Sequence, residues 1–228
     1  MKKNTFRIET DSLGKVKVPK NAYYGAQTQR ALDNFKISGI TFDPVFIQSL
    51  ASLKQACAIA NMKCKTLIKS KANCISGISK KISNNTLDYM DHFPIDIFQT
   101  GSGTSTNMNM NEVISEVAKR NFKQKIHPND DVNMSQSSND VIPTTINIAS
   151  LSMSKTLSTS LSFMSESLNS KAITLSNVIK SGRTHLMDAV PISFEQELNV
   201  WEEQVRASQA QIDLSCEEIS YLPIGGTA

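Results

Sequence analysis

Residues 141–179 constrain this chain more than any other stretch. Ile142, Ile146, Ala149, Met153, Leu157, Leu161, Met164, Leu168, Ala172, Leu175 and Ile179 follow one another only at intervals of three and four, with no glycine and, after Pro143, no proline. That spacing lines one face of an α-helix, so the sequence predicts a rod of roughly 58 Å at the helical rise. A rod of that length needs partners along it. Its other faces carry Ser150, Ser152, Ser154, Ser158, Ser160, Ser162, Ser165 and Ser167, side chains small enough to let neighbouring helices approach. Pro191 reads as the start of a second long helix with Leu198, Trp201, Val205, Ile212 and Ile219 on one side, closed by Leu222-Pro223. Joined by residues 181–190, the two rods are expected to pack antiparallel as a piece of a helical bundle, their periodic residues forming its core.

The rest of the chain agrees with a mainly α fold. Glycine and proline number only 9 and 7, too few for a sheet with many turns. The first forty residues are the exception. Arg7-Ile8-Glu9 and Val16-Lys17-Val18 flank Asp11-Ser12-Leu13-Gly14 as a short hairpin, and an irregular stretch through Tyr23-Tyr24-Gly25-Ala26-Gln27-Thr28 is expected after it. Asp43-Pro44 is a helix start, followed by Phe46, Leu50, Leu53, Cys57 and Ala60 in steps of three and four. A second helix is expected over roughly 71–90, and a third from near Thr106 through Met110, Val113, Ile114 and Val117 to Phe122. The division expected is a small mixed domain over residues 1–139 and the first part of a long-helix bundle domain over residues 140–228.

Charge and composition exclude several classes of partner. Lys and Arg number 24 against 21 Asp and Glu, a net +3 without a run of five like charges, so neither a nucleic-acid stripe nor a membrane-surface helix is predicted. No 18 consecutive apolar residues occur, which excludes a spanning helix. Lys2 and Lys3 have no apolar stretch behind them, and Glu9 and Asp11 are out of place in a transit peptide; a cytoplasmic location is expected. Cys57, Cys64, Cys74 and Cys216 form no C-x-x-C pair. They read as reduced thiols, with no metal and no cofactor expected.

Three polar segments share one design: Thr100-Gly101-Ser102-Gly103-Thr104-Ser105-Thr106-Asn107, Ser135-Gln136-Ser137-Ser138-Asn139-Asp140, and Gly182-Arg183-Thr184-His185-Leu186-Met187-Asp188. Each is a run of small hydroxyl and amide side chains expected at or shortly before a helix start. A helix start offers unpaired N–H groups and the positive end of the macrodipole, so neutral donors can hold a carboxylate there. Any one segment is explained by good N-capping alone. Three in one chain, the third with a histidine, point to a cage for a dicarboxylate. His185 is the first choice for a proton-transferring group. His127, in His127-Pro128-Asn129-Asp130-Asp131, is explained equally by loop architecture. His92 reads as structural, and Asp188 as a cap for the following helix.

Taken together, these residues are identified as a resemblance to the N-terminal half of the class II, iron-independent fumarate hydratase family, within the fumarase/aspartase superfamily. Its carriers are Tyr24-Gly25-Ala26-Gln27-Thr28, the Thr100 to Thr104 run with Asn107-Met108-Asn109-Met110-Asn111-Glu112-Val113, His127-Pro128-Asn129-Asp130-Asp131-Val132-Asn133, Ser135-Gln136-Ser137-Ser138-Asn139-Asp140, Gly182-Arg183-Thr184-His185-Leu186 and Gly225-Gly226-Thr227-Ala228. The resemblance implies a homotetrameric, mostly helical lyase of the tricarboxylic acid cycle that hydrates fumarate to (S)-malate at sites built from three subunits. By the same resemblance, Ser102, Gly103, Thr104, Ser137, Ser138, Asn139 and Thr184 bind substrate. His185 acts with a bound water as proton donor or acceptor, and His127, Asn129 and Asp130 form a second dicarboxylate site.

Two alternatives compete. In the related aspartate ammonia-lyases ammonia leaves instead of water, and Ser105-Thr106 leans that way. Ser102, Asp130, Ser138, His185 and Gly225-Gly226 lean toward the hydratase, while Met187 and Glu195 depart from both. Family members continue past the motif at Ala228 into a half that carries the Gly-Ser-Ser loop with the catalytic serine. The expectation is therefore no more than trace activity for these residues alone. The other alternative is a truncated or split gene product that acts only as an assembly partner.

Overall fold

The computed structural model describes residues 5–226; Thr227 and Ala228 of the final motif lie outside the described residues. The architecture is mainly α, with two small two-stranded sheets. The chain separates into two compact units, Met1–Ala149 with Leu222–Ala228, and Ser150–Tyr221.

In the first unit, β1 (Phe6–Asp11) and β2 (Gly14–Pro19) form the expected antiparallel hairpin, Arg7 facing Val18 and Asp11 facing Gly14. Gly14 takes φ 108°, a conformation glycine reaches without steric cost. The stretch after it is more regular than its sequence suggests. Helix α1 (Ala26–Asn34) begins inside the Tyr23–Thr28 segment because a distant carboxylate, Glu112, supplies the acceptors its first turn needs. Helix α2 (Pro44–Lys63) starts where Asp43-Pro44 predicts, Asp43 accepting from the Val45 N–H at 2.8 Å. The next expected helix divides into α3 (Lys69–Asn84) and a short 3-10 helix, Thr86–His92. Helix α4 covers Thr104–Phe122. Ile47, Leu50 and Ala51 of α2, Ile75, Ile78 and Ile82 of α3, and Met110, Val113, Ile114 and Val117 of α4 are at most 1% exposed and form the core. Each such isoleucine, leucine, valine or methionine side chain contributes about 1.5–3 kcal/mol of burial.

The long rod exists as α5 (Ser138–Thr174, 37 residues). It stops five residues short of the predicted end. Ile179 keeps the helical spacing by coincidence and instead opens β3 (Ile179–Thr184), which pairs with β4 (Met187–Ser193). The second rod, α6 (Phe194–Ile219), therefore starts three residues after Pro191, which lies in β4 opposite Ser181. A proline is tolerated in a two-stranded ribbon where its missing N–H faces no partner. Ser193, not Asp188, caps α6: its hydroxyl accepts from the Gln196 N–H while the Gln196 side chain accepts from the Ser193 N–H. Asp188 accepts from the Ser181 hydroxyl at 3.2 Å.

Within the second unit α5 and α6 run antiparallel, as contacts of falling and rising number show. The Ser158 hydroxyl donates to Asp213, Gln209 donates to the Ser162 hydroxyl at 2.9 Å, and the Ser165 hydroxyl donates to Glu202 at 2.6 Å. The serines thus do bring helices together, but as hydrogen-bond donors and acceptors. Much of the predicted apolar stripe is left uncovered by this chain: Ile142, Ala149 and Ala172 are buried, but Ile146, Met153, Leu157 and Met164 are 47–54% exposed, and no residue of α6 is buried.

Candidate functional site

Two of the three polar segments meet in the first unit. Gly103 precedes α4 with φ 65°, and a Cβ there would lie 2.9 Å from Ile142 Cγ1. That close approach seats the start of α4 against the start of α5. Thr106 is clamped by Gln99, whose Oε1 accepts from the Thr106 N–H at 2.9 Å and whose amide donates to the Thr106 hydroxyl at 2.8 Å. One residue on, the Asn107 amide donates to Asn133 Oδ1 at 3.1 Å and to Ser138 Oγ at 2.9 Å. The first turn of α4 is thereby tied to the first residue of α5.

Around that tie, Ser102 and Thr104 are exposed and share a hydroxyl hydrogen bond of 2.8 Å. Ser137 and Ser138 are half-buried and Asn139 is exposed; the Asn139 N–H donates to the Ser137 hydroxyl at 3.3 Å. Ser138 accepts from Asn107, so its own proton remains to be donated. Asp140 is consumed by the scaffold, its two oxygens accepting from the Ser137 N–H at 3.1 Å and the Gly225 N–H at 3.0 Å. The result is two helix starts edged with the neutral hydroxyl and amide groups of Ser102, Thr104, Ser137, Ser138 and Asn139. Such a surface can donate to an anion without repelling it.

Beneath it lies a residue that the motif reading passed over. Lys54 of α2 is fully buried, its ammonium donating to Asn133 Oδ1 at 3.1 Å and Gln136 Oε1 at 2.9 Å. Burial pushes its pKa down to about 7, against the opposing pull of Cys57 and Asp140. The signal was present: position 54 follows Leu50 by four and precedes Cys57 by three, so a lysine sits on the apolar stripe of its helix.

His127, Asn129 and Asp130 are exposed on the loop that opens the single π turn Pro128–Val132. His127 Nδ1 accepts from the Asp130 N–H at 3.1 Å. The His127 N–H donates to Asp131 at 2.8 Å, and Asp131 is paired with Lys71 at 2.7 Å. His127 and Asn129 edge a cleft of about 450 Å³ whose wall also carries Arg7, Lys119, Glu9 and Glu116. His92 is not isolated, as its sequence neighbours suggest. Its Nδ1 accepts from the Tyr23 N–H at 3.4 Å, its ring lies tilted by 60° against that of Tyr23 at a centroid distance of 4.3 Å, and Arg120 lies over the Tyr23 ring at 5.1 Å. Burial holds the His92 pKa below its usual value.

The third segment corrects the expectation of a helix start. Thr184 pairs with Met187 at the end of the β3–β4 hairpin, and His185 and Leu186 form its two-residue turn with φ 48° and 60°. Both residues in the left-handed region mark a type I′ turn, whose twist matches the flanking strands. His185 is exposed and edges an open groove of about 570 Å³ in the second unit together with Lys180, Arg183, Thr184, Asp188 and Glu197. Lys180 donates to Glu197 at 2.6 Å. Among the described residues no three His, Cys, Asp or Glu side chains are placed to hold a metal ion, and no helix is long and apolar enough to cross a membrane.

Comparison with known proteins fits this framework. The model of the lyase family matches residues 14–228. The class II fumarate hydratase of Xylella fastidiosa (strain Temecula1) is 46% identical over 224 residues, covering 98% of this chain and 47% of that protein. That of Corynebacterium efficiens is 46% identical over 229 residues, covering 100% of this chain and 48% of the relative. Among solved structures, class II fumarase from Schistosoma mansoni superposes with a TM-score of 0.89 at 37% identity, covering 98% of this chain and 48% of that one. A fumarate lyase:delta crystallin from Brucella melitensis gives 0.90 at 38% identity, covering 97% and 53%. The chain spans about half the length of the curated relatives it matches.

Proposed function

The chain belongs to the lyase family, and on that premise we propose that it supplies substrate-holding and proton-transferring residues of a class II fumarate hydratase. The reaction is the reversible hydration of fumarate to (S)-malate. The observation that carries this reading is the tie from Asn107 to Ser138 at 2.9 Å, which gathers the hydroxyls and amides of two helix starts beside one another. In the dehydration direction a proton leaves the carbon next to a carboxylate, and negative charge concentrates on that carboxylate's oxygens. Donors fixed in advance at Ser102, Gly103, Thr104, Ser137, Ser138 and Asn139 meet that charge without reorganising, with Thr184 as a further substrate contact. His185, through a water, protonates the departing hydroxyl. None of the described residues is assigned the removal of the carbon-bound proton, so the chain alone is expected to show no more than trace turnover.

The same proposal includes a second dicarboxylate site at His127, Asn129 and Asp130, which are exposed on one loop. It includes a cytoplasmic location, a place in the tricarboxylic acid cycle and the division of the chain near residue 139. Assembly into a homotetramer is supported by Met153, Leu157, Met164, Val200, Trp201 and Leu214, all about half exposed on α5 and α6; apolar surface on that scale asks for a partner. The test is a chimera in which this chain replaces the matching half of the Xylella fastidiosa relative. Fumarate hydration by the chimera, lost in His185→Asn, supports the reading. A folded chimera that leaves fumarate unchanged, or a His185→Asn variant as active as its parent, overturns it.

A further inference from the structure

Lys54 is the one fully buried cation among the described residues, and the chemistry proposed above does not use it. Its surroundings are donor-rich. Asn133 Oδ1 accepts from Lys54, from Asn107 at 3.1 Å and from Asn111 at 3.2 Å. The Asn107 and Asn111 carbonyl oxygens are buried without a hydrogen-bond partner. The ammonium thus has two neutral oxygens and no carboxylate in hydrogen-bond contact. A buried charge so placed is costly unless something compensates it.

The compensation lies in what the network supports. Asn133 fixes Asn107, Asn107 fixes Ser138, and Gln136 is the residue before the 137–139 segment. We propose, resting on the dicarboxylate reading above, that Lys54 is a positioning residue: its buried ammonium stands behind the 137–139 segment, orients Ser138 through Asn133 and Asn107, and supplies the counter-charge for a bound dicarboxylate. The ligand at the surface and the ammonium beneath it stabilise each other. By linkage, the ligand then holds Lys54 protonated, and a protonated Lys54 raises the affinity for the ligand by the same factor.

The ionisable groups whose charges reach Lys54 are Cys57, on the next turn of α2, and Asp140, in the first turn of α5, and both favour the ammonium. Without ligand the lysine titrates near neutrality, which makes the coupling measurable under mild conditions. Fumarate is the probe, titrated calorimetrically into the full 228-residue chain between about pH 6 and pH 9. The expected affinity falls about tenfold toward the alkaline end for each unit by which fumarate raises the Lys54 midpoint. Lys54→Met binds weakly throughout and loses the alkaline slope. Lys54→Arg, always charged, retains affinity and flattens the profile.

Because a buried substitution can unfold the chain, a second measurement uses the unaltered protein. The Lys54 titration is followed by nuclear magnetic resonance on isotope-labelled lysine, with and without saturating fumarate. A midpoint raised by fumarate supports the inference. Binding with the midpoint unmoved, or a folded Lys54→Met chain with unaltered affinity and slope, overturns this inference alone. No binding of fumarate by the unaltered chain at any pH overturns the dicarboxylate reading, and the inference with it.

Discussion

Glu112→Gln isolates the contact that joins the first forty residues to the core. The Glu112 carboxylate of α4 is 8% exposed and accepts four hydrogen bonds at the start of α1. Its Oε2 takes the Gly25 N–H at 2.8 Å, the Thr28 N–H at 3.1 Å and the Thr28 hydroxyl at 2.6 Å, and its Oε1 takes the Gln27 N–H at 2.9 Å. A glutamine keeps the three Oε2 contacts if its carbonyl turns that way, but its NH₂ then faces the Gln27 N–H, donor against donor. The loss is one charge-assisted hydrogen bond, worth about 1.5–3 kcal/mol, and a negative charge at a helix N-terminus, worth about 0.3–1 kcal/mol. The expected destabilisation is about 2–4 kcal/mol. Urea unfolding gives the total, and amide hydrogen exchange at Gly25, Gln27 and Thr28 localises it. A variant within about 0.5 kcal/mol of the parent, with those three amides as protected as before, would refute the latch.

Three further outcomes follow from the same geometry. Gly25→Ala places a Cβ 2.9 Å from Glu112 Cδ and Oε1; since four hydrogen bonds prevent that carboxylate from swinging away, thermal unfolding should report a loss of about 1–3 kcal/mol. The double change His185→Asn with Leu186→Gly installs a strong type I′ turn, so thermal unfolding of the chain should be unchanged or raised while the chimeric hydratase loses turnover; a lowered melting temperature contradicts the hairpin assignment. His92 has a folded pKa below its unfolded value, so protonation is harder in the fold than out of it. Its contribution is complete above about pH 6.5 and is lost on acidification below that. Unfolding measured from about pH 7.5 down to 5.5 should weaken more steeply than in His92→Phe, and parallel slopes would contradict the assignment.

The rods, the first hairpin and the Asp43 cap were legible because each depends on neighbours within a few residues. What the sequence misplaced depends on distant ones. The end of α5 and the start of α6 were misread because Ile179 and Pro191 satisfy helical rules locally, whereas the β3–β4 ribbon is set by pairing across the turn at His185 and Leu186. The start of α1 was hidden because its cap is Glu112, more than eighty residues away in the chain. The polar segments at 100–107 and 135–140 were legible as helix starts, and the structure joins them through Asn107. Lys54 was hidden because a lysine is read as solvated until its place on an apolar stripe is counted. Burial along α5 beyond residue 150 was overstated, since periodicity marks a face but not whether the chain itself covers it.

The most direct measurement is the pattern of backbone amide shifts when fumarate is titrated into the isotope-labelled chain. Saturable shifts concentrated at Ser102, Gly103 and Thr104 and at Ser137, Ser138 and Asn139 are the predicted result. Shifts that scatter over the surface, or that gather away from both helix starts, contradict it.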